Sequence, residues 1–119
     1  MTPRISVAVI TYNWPAALEL VLQALAAQSE LPHEVIVTDD GSQPATRGLL
    51  ERMARDYPVR LVHLWQPDDG ARMSRARNRA IAAAQGDYVI LLDGDMVVER
   101  HFIADHRAFA RSGCFVQGS

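Results

Sequence analysis

The chain has 119 residues, 49% hydrophobic and 22% charged, with a formal net charge of −2. That length suits one domain with a real core and is too short for two, and the charge offers no general attraction for nucleic acid or anionic membrane. A single cysteine, Cys114, excludes an intrachain disulfide framework, and no apolar run approaches the roughly 20 residues that span a bilayer. Met1-Thr2-Pro3-Arg4 lacks the long apolar core of a signal peptide. The expected location is cytoplasmic, with peripheral attachment at the inner face of the membrane left open.

Ile5 to Ile10 is rich in β-branched residues and predicts a buried strand. Thr11-Tyr12-Asn13-Trp14-Pro15 turns the chain, with Asn13 or Trp14 as N-cap and Pro15 at the first helical position. Leu18, Val21, Leu22 and Leu25 recur at helical spacing and make one apolar face. Leu31-Pro32 ends that unit, and Glu34-Val35-Ile36-Val37-Thr38 predicts a second strand. Leu49, Leu50, Met53 and Tyr57 give a second helical face closed by Pro58, and Val59 to Trp65 a third strand. Ser74 to Gln85 is alanine-rich and helical, with Gly86 as a left-handed residue beyond its end. Val89 to Leu92 predicts the fourth strand, Phe102, Ile103, His106 and Phe109 a further helix, and Cys114 to Gln117 a last short strand.

Strands alternating with helices imply right-handed crossovers: a Rossmann-like α/β/α sandwich with a mainly parallel sheet. Ligands in such sheets bind beyond the carboxyl ends of the strands. Thr11–Asn13, Asp39–Ser42 and Asp93–Asp95 fall at that edge. The chain stops just after a strand, at Gln117-Gly118-Ser119, so the expectation is a single domain, residues 1–119, that forms the N-terminal part of a longer protein. An open sheet edge would then favour self-association.

Asp93-Gly94-Asp95 follows the apolar run Tyr88 to Leu92. Carboxylates near a buried strand end are costly unless something pairs with them. Two hard oxygen donors there suit Mg2+ or Mn2+, which keeps sites for diphosphate oxygens, and Gly94 would let the backbone approach a ligand. The plain alternative is an acidic turn. Asp39-Asp40-Gly41-Ser42 is either a turn or a loop whose carboxylate accepts from a base N–H or ribose hydroxyls. Arg72, Arg75, Arg77 and Arg79 crowd the start of the third helix beside Asn78; cations are unfavourable at a helix N-terminus, which a bound diphosphate would explain. The alternative is a solvated basic face pairing with Asp68, Asp69 or Asp87. Tyr12 is the better aromatic candidate for stacking on a base, with Trp14 and Trp65 as packing residues. The four histidines lack metal-site spacing: His33 reads as a loop residue, His63 as a strand residue and His106 as a core or rim residue.

Four ordered blocks together resemble the N-terminal half of family 2 glycosyltransferases with the GT-A fold. They are Val7-Ala8-Val9-Ile10-Thr11-Tyr12-Asn13, Val35 to Ser42, Ala76-Arg77-Asn78-Arg79-Ala80-Ile81, and Gln85 through Asp95. The resemblance implies sugar transfer from a nucleotide-diphosphate sugar, often a UDP-sugar, to a saccharide or glycolipid acceptor of lipopolysaccharide type. It implies that Asp40, with Asp39, binds the base or ribose and that Thr11, Tyr12 and Asn13 line the nucleotide pocket. Arg77 and Asn78 would lie near the phosphates, Asp93 would face the ribose or donor sugar, and Asp95, with Asp93, would hold Mn2+ or Mg2+. Members usually continue for another hundred residues or more, carrying the acceptor site and the general base of inverting transfer, so no catalytic base is assigned in this chain. The rivals are a non-catalytic nucleotide-binding or partner-docking module, and a sugar-phosphate nucleotidyltransferase, which would show a Gly-rich basic loop where this chain has Thr-Tyr-Asn-Trp-Pro.

Overall fold

Strand β1 (Ile5–Thr11) is buried at all seven positions, and its neighbours explain why. It pairs in parallel with β2 (Glu34–Asp40) on one edge and with β4 (Tyr88–Asp93) on the other. In the computed structural model, which describes residues 4–11, 14–40, 44–66 and 72–110, β3 (Arg60–Gln66) completes an all-parallel sheet in the order β3-β2-β1-β4. The chain moves outward from β1 to β3, then returns across the sheet to place β4 on the other side of β1. The strand order therefore reverses at β1, and the crevice between the carboxyl ends of β1 and β4 is the topological switch point.

Helix α1 (Pro15–Ala26) starts where expected, with Trp14 as N-cap, Pro15 in the first turn and no side-chain cap. Its buried face is Leu18, Val21, Leu22 and Leu25. These pack with Ile5, Val7, Val9, Val35, Val37, Ile90 and Leu92 from the sheet, Leu49 and Leu50 of α2 (Pro44–Ala54) and Ile103 of α4 (Phe102–Ala110). Removing that much apolar surface from water, about 2 kcal/mol for each fully buried aliphatic side chain, makes this layer the main core. The opposite face is thinner: Ala8, Ile36 and Leu91 meet Ala80 of α3 (Arg72–Ala83), with Val62, Leu64 and Val89 partly buried around them. Alternate residues of each strand supply the two layers, as the pleat requires.

The amino edge of the sheet holds a closed polar network. Glu34 is fully buried and accepts from the Ser6 hydroxyl at 2.7 Å, the Gln85 backbone N–H at 2.6 Å and the Arg60 guanidinium at 3.2 Å. Ser6 Oγ in turn accepts from the Gly86 N–H at 2.9 Å. Past β4, Gln28 donates to the carbonyls of Ala24 and Glu99 and accepts from the Ile103 N–H. Arg107 reaches Glu30 and the Leu31 carbonyl. The segment after the strand is thus tied to the end of α1.

Several boundaries depart from the sequence expectation. Strand β2 runs through Asp39, paired with Thr11 and Trp65 on either side, and Asp40, paired with Gln66 of β3; the acidic pair is strand, not turn. Tyr57 lies beyond α2, yet its hydroxyl donates to the Leu22 carbonyl at 2.6 Å. Helix α3 begins and ends two residues earlier than Ser74–Gln85. Gly86 is not left-handed: a Cβ there would lie 2.6 Å from both the Arg4 carbonyl and Ser6 Oγ, so the requirement is space. Phe109 is half exposed, so the helical face it was assigned to is narrower than its spacing implies. The expected strand at Cys114–Gln117 lies outside the described residues.

Candidate functional site

Beyond the carboxyl ends of β1 and β4 lies a cleft of about 180 Å3, lined by Ile10, Thr11, Trp14, Asp93, Gly94 and Asp95. Three devices build it. The Gly94 N–H donates to the Ile10 carbonyl at 2.8 Å, carrying the β1–β4 pairing one residue past the strand. The Met96 N–H then closes a turn on the Asp93 carbonyl at 3.0 Å. A Cβ at Gly94 would meet Thr11 Cβ and Oγ1 at 2.9 Å and the Ile10 carbonyl at 3.0 Å. The close approach that demands glycine here is to β1, and it brings the turn carrying the two aspartates against Thr11.

Asp93 and Asp95 are both exposed. Neither side chain has a hydrogen bond or ion pair within the protein among the described residues. Thr11, at 5% exposed, forms the floor of the cleft. Trp14 forms a wall with 57% of its surface exposed, so reading it as a packing residue does not hold; the position just before Pro15, facing the strand ends, was the available signal. Trp65 is likewise 51% exposed. It lines a second, larger concavity of about 460 Å3 with Pro44, Arg47 and His63 at the β3 edge. The smaller cleft, not the larger one, holds the paired carboxylates.

Asp39 is 1% exposed, with Oδ2 at 3.1 Å from Nε2 of His63. It stands one strand away from Thr11 on the side opposite β4. Asn78 is exposed on α3, and Arg79 donates to the Trp65 carbonyl at 3.2 Å, a role in tying α3 to the end of β3. The Asp87 carboxylate accepts from the Arg4 backbone N–H at 3.1 Å and lies 3.6 Å from the Arg4 guanidinium. Those bonds from Arg4 hold its carboxyl below the usual range. Tyr12 and Asn13 lie outside the described residues, as do the side chains of Asp40 and Arg77. The histidines follow their sequence assignments: His33 is in the loop before β2, and His106 packs at a rim between Tyr88 and Phe102, with Nδ1 at 3.1 Å from the Tyr88 hydroxyl.

Comparison with known proteins supplies the context for this cleft. Residues 6–118 match the sequence model of "Glycosyl transferase family 2". The chain belongs to that family. This glycosyltransferase chain is 40% identical over 93 residues to the hyaluronan synthase of Pasteurella multocida, an alignment covering 77% of the chain and 9% of that protein. S. aureus TarS 1-349, solved in complex with UDP-GlcNAc, superposes with a TM-score of 0.79 at 29% identity over 92% of the chain and 31% of its own. The mannosyltransferase PcManGT from Pyrobaculum calidifontis, solved with GDP-Man and Mn2+, superposes with a TM-score of 0.77 at 28% identity over 87% of the chain and 31% of its own. The fold is thus that of the GT-A glycosyltransferases, and the chain spans about a third or less of the relatives named.

PcManGT was solved with Mn2+, and the cleft here offers donors of the kind such an ion takes. Among the described residues no group of three or more acidic, His or Cys side chains stands together. Asp93 and Asp95 nonetheless supply two hard, solvent-reachable oxygen donors without partners among the described residues. Mg2+ and Mn2+ retain waters and take phosphate oxygens, so one or two carboxylates suffice. The donor set fits such an ion. No helix of the described residues is long and apolar enough to cross a membrane.

Proposed function

We propose that this chain is the donor-binding domain of a glycosyltransferase that transfers a sugar from a nucleotide-diphosphate sugar, a UDP-sugar foremost. The acceptor would be a saccharide or a lipopolysaccharide-type glycolipid. The observation that carries the reading is the Asp93-Gly94-Asp95 turn, pinned against Thr11 at the topological switch point with both carboxylates open to solvent.

Asp95 and Asp93 would hold Mn2+ or Mg2+, which supplies charge neutralisation for a departing nucleoside diphosphate. The chain's own residues do the placing. Gly94 keeps the two carboxylates on the β1 side of the cleft, and Thr11 and Trp14 exclude water from its floor and wall. Asp39 and Asp93 flank β1 from opposite sides, about 10 Å apart by strand spacing, a span that a nucleoside diphosphate bridges. Asp39, with Asp40, would then take base or ribose donors, and Tyr12, Asn13, Arg77 and Asn78 would complete the nucleotide site. Transfer with inversion, by direct displacement at the anomeric carbon, follows from the family likeness, and the general base is left unassigned.

Titration calorimetry of UDP and GDP, with Mn2+ and again with chelator, on the wild-type chain and Asp95→Asn tests the reading. Micromolar UDP binding that needs both the ion and Asp95 is expected. Binding that persists in chelator, or in Asp95→Asn, would remove the ion from the scheme. No binding of either nucleotide would sink the donor-site assignment.

A further inference from the structure

The buried Asp39 carboxylate is not placed by β2 alone. His63, on β3, sits in register with Val37, while Asp39 sits in register with Trp65. Asp39 and His63 are therefore diagonal neighbours on adjacent strands, close enough for their side chains to meet. They do meet, Nε2 to Oδ2, at 3.1 Å. An ionised carboxylate only accepts hydrogen bonds, so Nε2 carries the proton in this pair. Asp39 is 1% exposed, whereas His63, at 20% side-chain exposure, opens on its far side to the concavity at the β3 edge, which Arg47 of α2 shares.

We infer that His63 is a positioning residue for nucleotide binding: its Nε2–H fixes the Asp39 carboxylate in the rotamer that receives the donor nucleotide. The inference rests on the donor-site reading above and goes beyond it by naming the group that orients the carboxylate. Loss of the imidazole N–H takes away one of the donors that hold this buried carboxylate in its orientation. A carboxylate held less firmly is a poorer acceptor for the nucleotide. The role needs a side chain with an N–H at the reach of Nε2 from strand β3. Glutamine places its amide nitrogen near that reach, asparagine falls one carbon short, and leucine offers no donor.

The test is UDP affinity by calorimetry, with Mn2+, on folded wild type, His63→Gln, His63→Asn and His63→Leu, each also carrying Asp39→Asn. His63→Leu and His63→Asn are expected to weaken UDP binding about tenfold, and His63→Gln to stay within about threefold of wild type. In the Asp39→Asn background the His63 substitutions are expected to add nothing, the mark of a residue acting through its neighbour. A merely structural His63 would lower the melting temperature and leave UDP affinity of the folded fraction unchanged; that result overturns the inference. So would effects that add fully to Asp39→Asn. If His63→Leu does not fold, the glutamine–asparagine contrast decides alone. Absence of UDP binding in the wild type is a different failure, that of the donor-site reading, and takes this inference with it.

Discussion

The two ends of one parallel sheet treat carboxylates in opposite ways. At the amino edge Glu34 is fully buried and saturated by a hydroxyl, a backbone N–H and a guanidinium. At the carboxyl edge Asp93 and Asp95 are exposed, and the protein gives their side chains no partner among the described residues. Glu34 is a strand-joining device: it bonds Ser6 of β1, Arg60 of β3 and the residue before Gly86, where the chain enters β4. Asp39 lies between these cases, buried like the first and at the edge of the second. Glu34 is thus an acid whose bonding is spent within the fold, whereas the proposed function gives Asp93 and Asp95 a partner from outside it.

Breaking the amino edge should cost the most stability. Glu34→Ala strands the Ser6 hydroxyl and the Gln85 N–H in a buried site, each loss worth about 1–3 kcal/mol, so about 3 kcal/mol in total is expected. Urea denaturation would show it, and a loss below about 1 kcal/mol would mean water replaces the carboxylate.

Next come the glycines. Gly86→Ala drives a Cβ to 2.6 Å from backbone at the β1–β4 entry, and a loss of about 2–3 kcal/mol is expected. Gly94→Ala meets its neighbours at 2.9–3.0 Å and should cost about 1–2 kcal/mol. The second change is expected to abolish Mn2+-dependent UDP binding in molecules that still fold. Folded Gly94→Ala with wild-type UDP affinity would show that the turn does not place the aspartates.

Asp93→Asn and Asp95→Asn sharpen the contrast from the other side. Each should shift stability by less than about 0.5 kcal/mol while removing ion-dependent nucleotide binding. Measurable destabilisation by either would make the carboxyl-edge aspartates structural after all.

The smallest effect concerns His106. Burial against Tyr88 and Phe102 lowers its pKa, with Asp105 opposing. A histidine with a depressed folded-state value takes up its proton more readily when unfolded, so its contribution is present above the ordinary histidine range and is lost as pH falls through the folded value. The melting temperature should therefore decline below about pH 6.5, and His106→Gln should flatten that slope. An unchanged slope would assign the acid sensitivity to other groups.

Much of this was legible in the amino acids. The β-branched runs, the helical spacing from Leu18 to Leu25, and Pro15 opening α1 each act locally, so the alternation and its parallel sheet followed. The Asp-Gly-Asp turn was legible for the same reason: charge at the end of an apolar run is locally anomalous. Partners distant in sequence were not. Glu34 begins an apolar strand and looks like an ordinary polar edge residue until Gln85, 51 positions away, is brought beside it. Asp39 and Asp40 read as a turn or a binding loop because their side chains favour such places, yet pairing with β1 and β3 at Asp39 and with β3 at Asp40 overrides that preference. Trp14 and Trp65 read as core because aromatics usually are, but the strand ends where they sit have no layer above them among the described residues. Gly94 was legible as a site of close backbone approach, but not that the atoms nearest its missing side chain belong to β1.

The return of the chain across the sheet also sets an order of assembly. Strands β1, β2 and β3 are joined by short helical crossovers and can pair as the chain grows. Strand β4 closes on β1 only when Tyr88 reaches Ile5, partners far apart in sequence and of the kind that favours late formation. Asp93, Gly94 and Asp95 ride on that final strand. The two carboxylates are thus out of place in every partly folded form in which β4 is undocked, and on the proposed function a nucleotide held there would select only molecules whose sheet is complete.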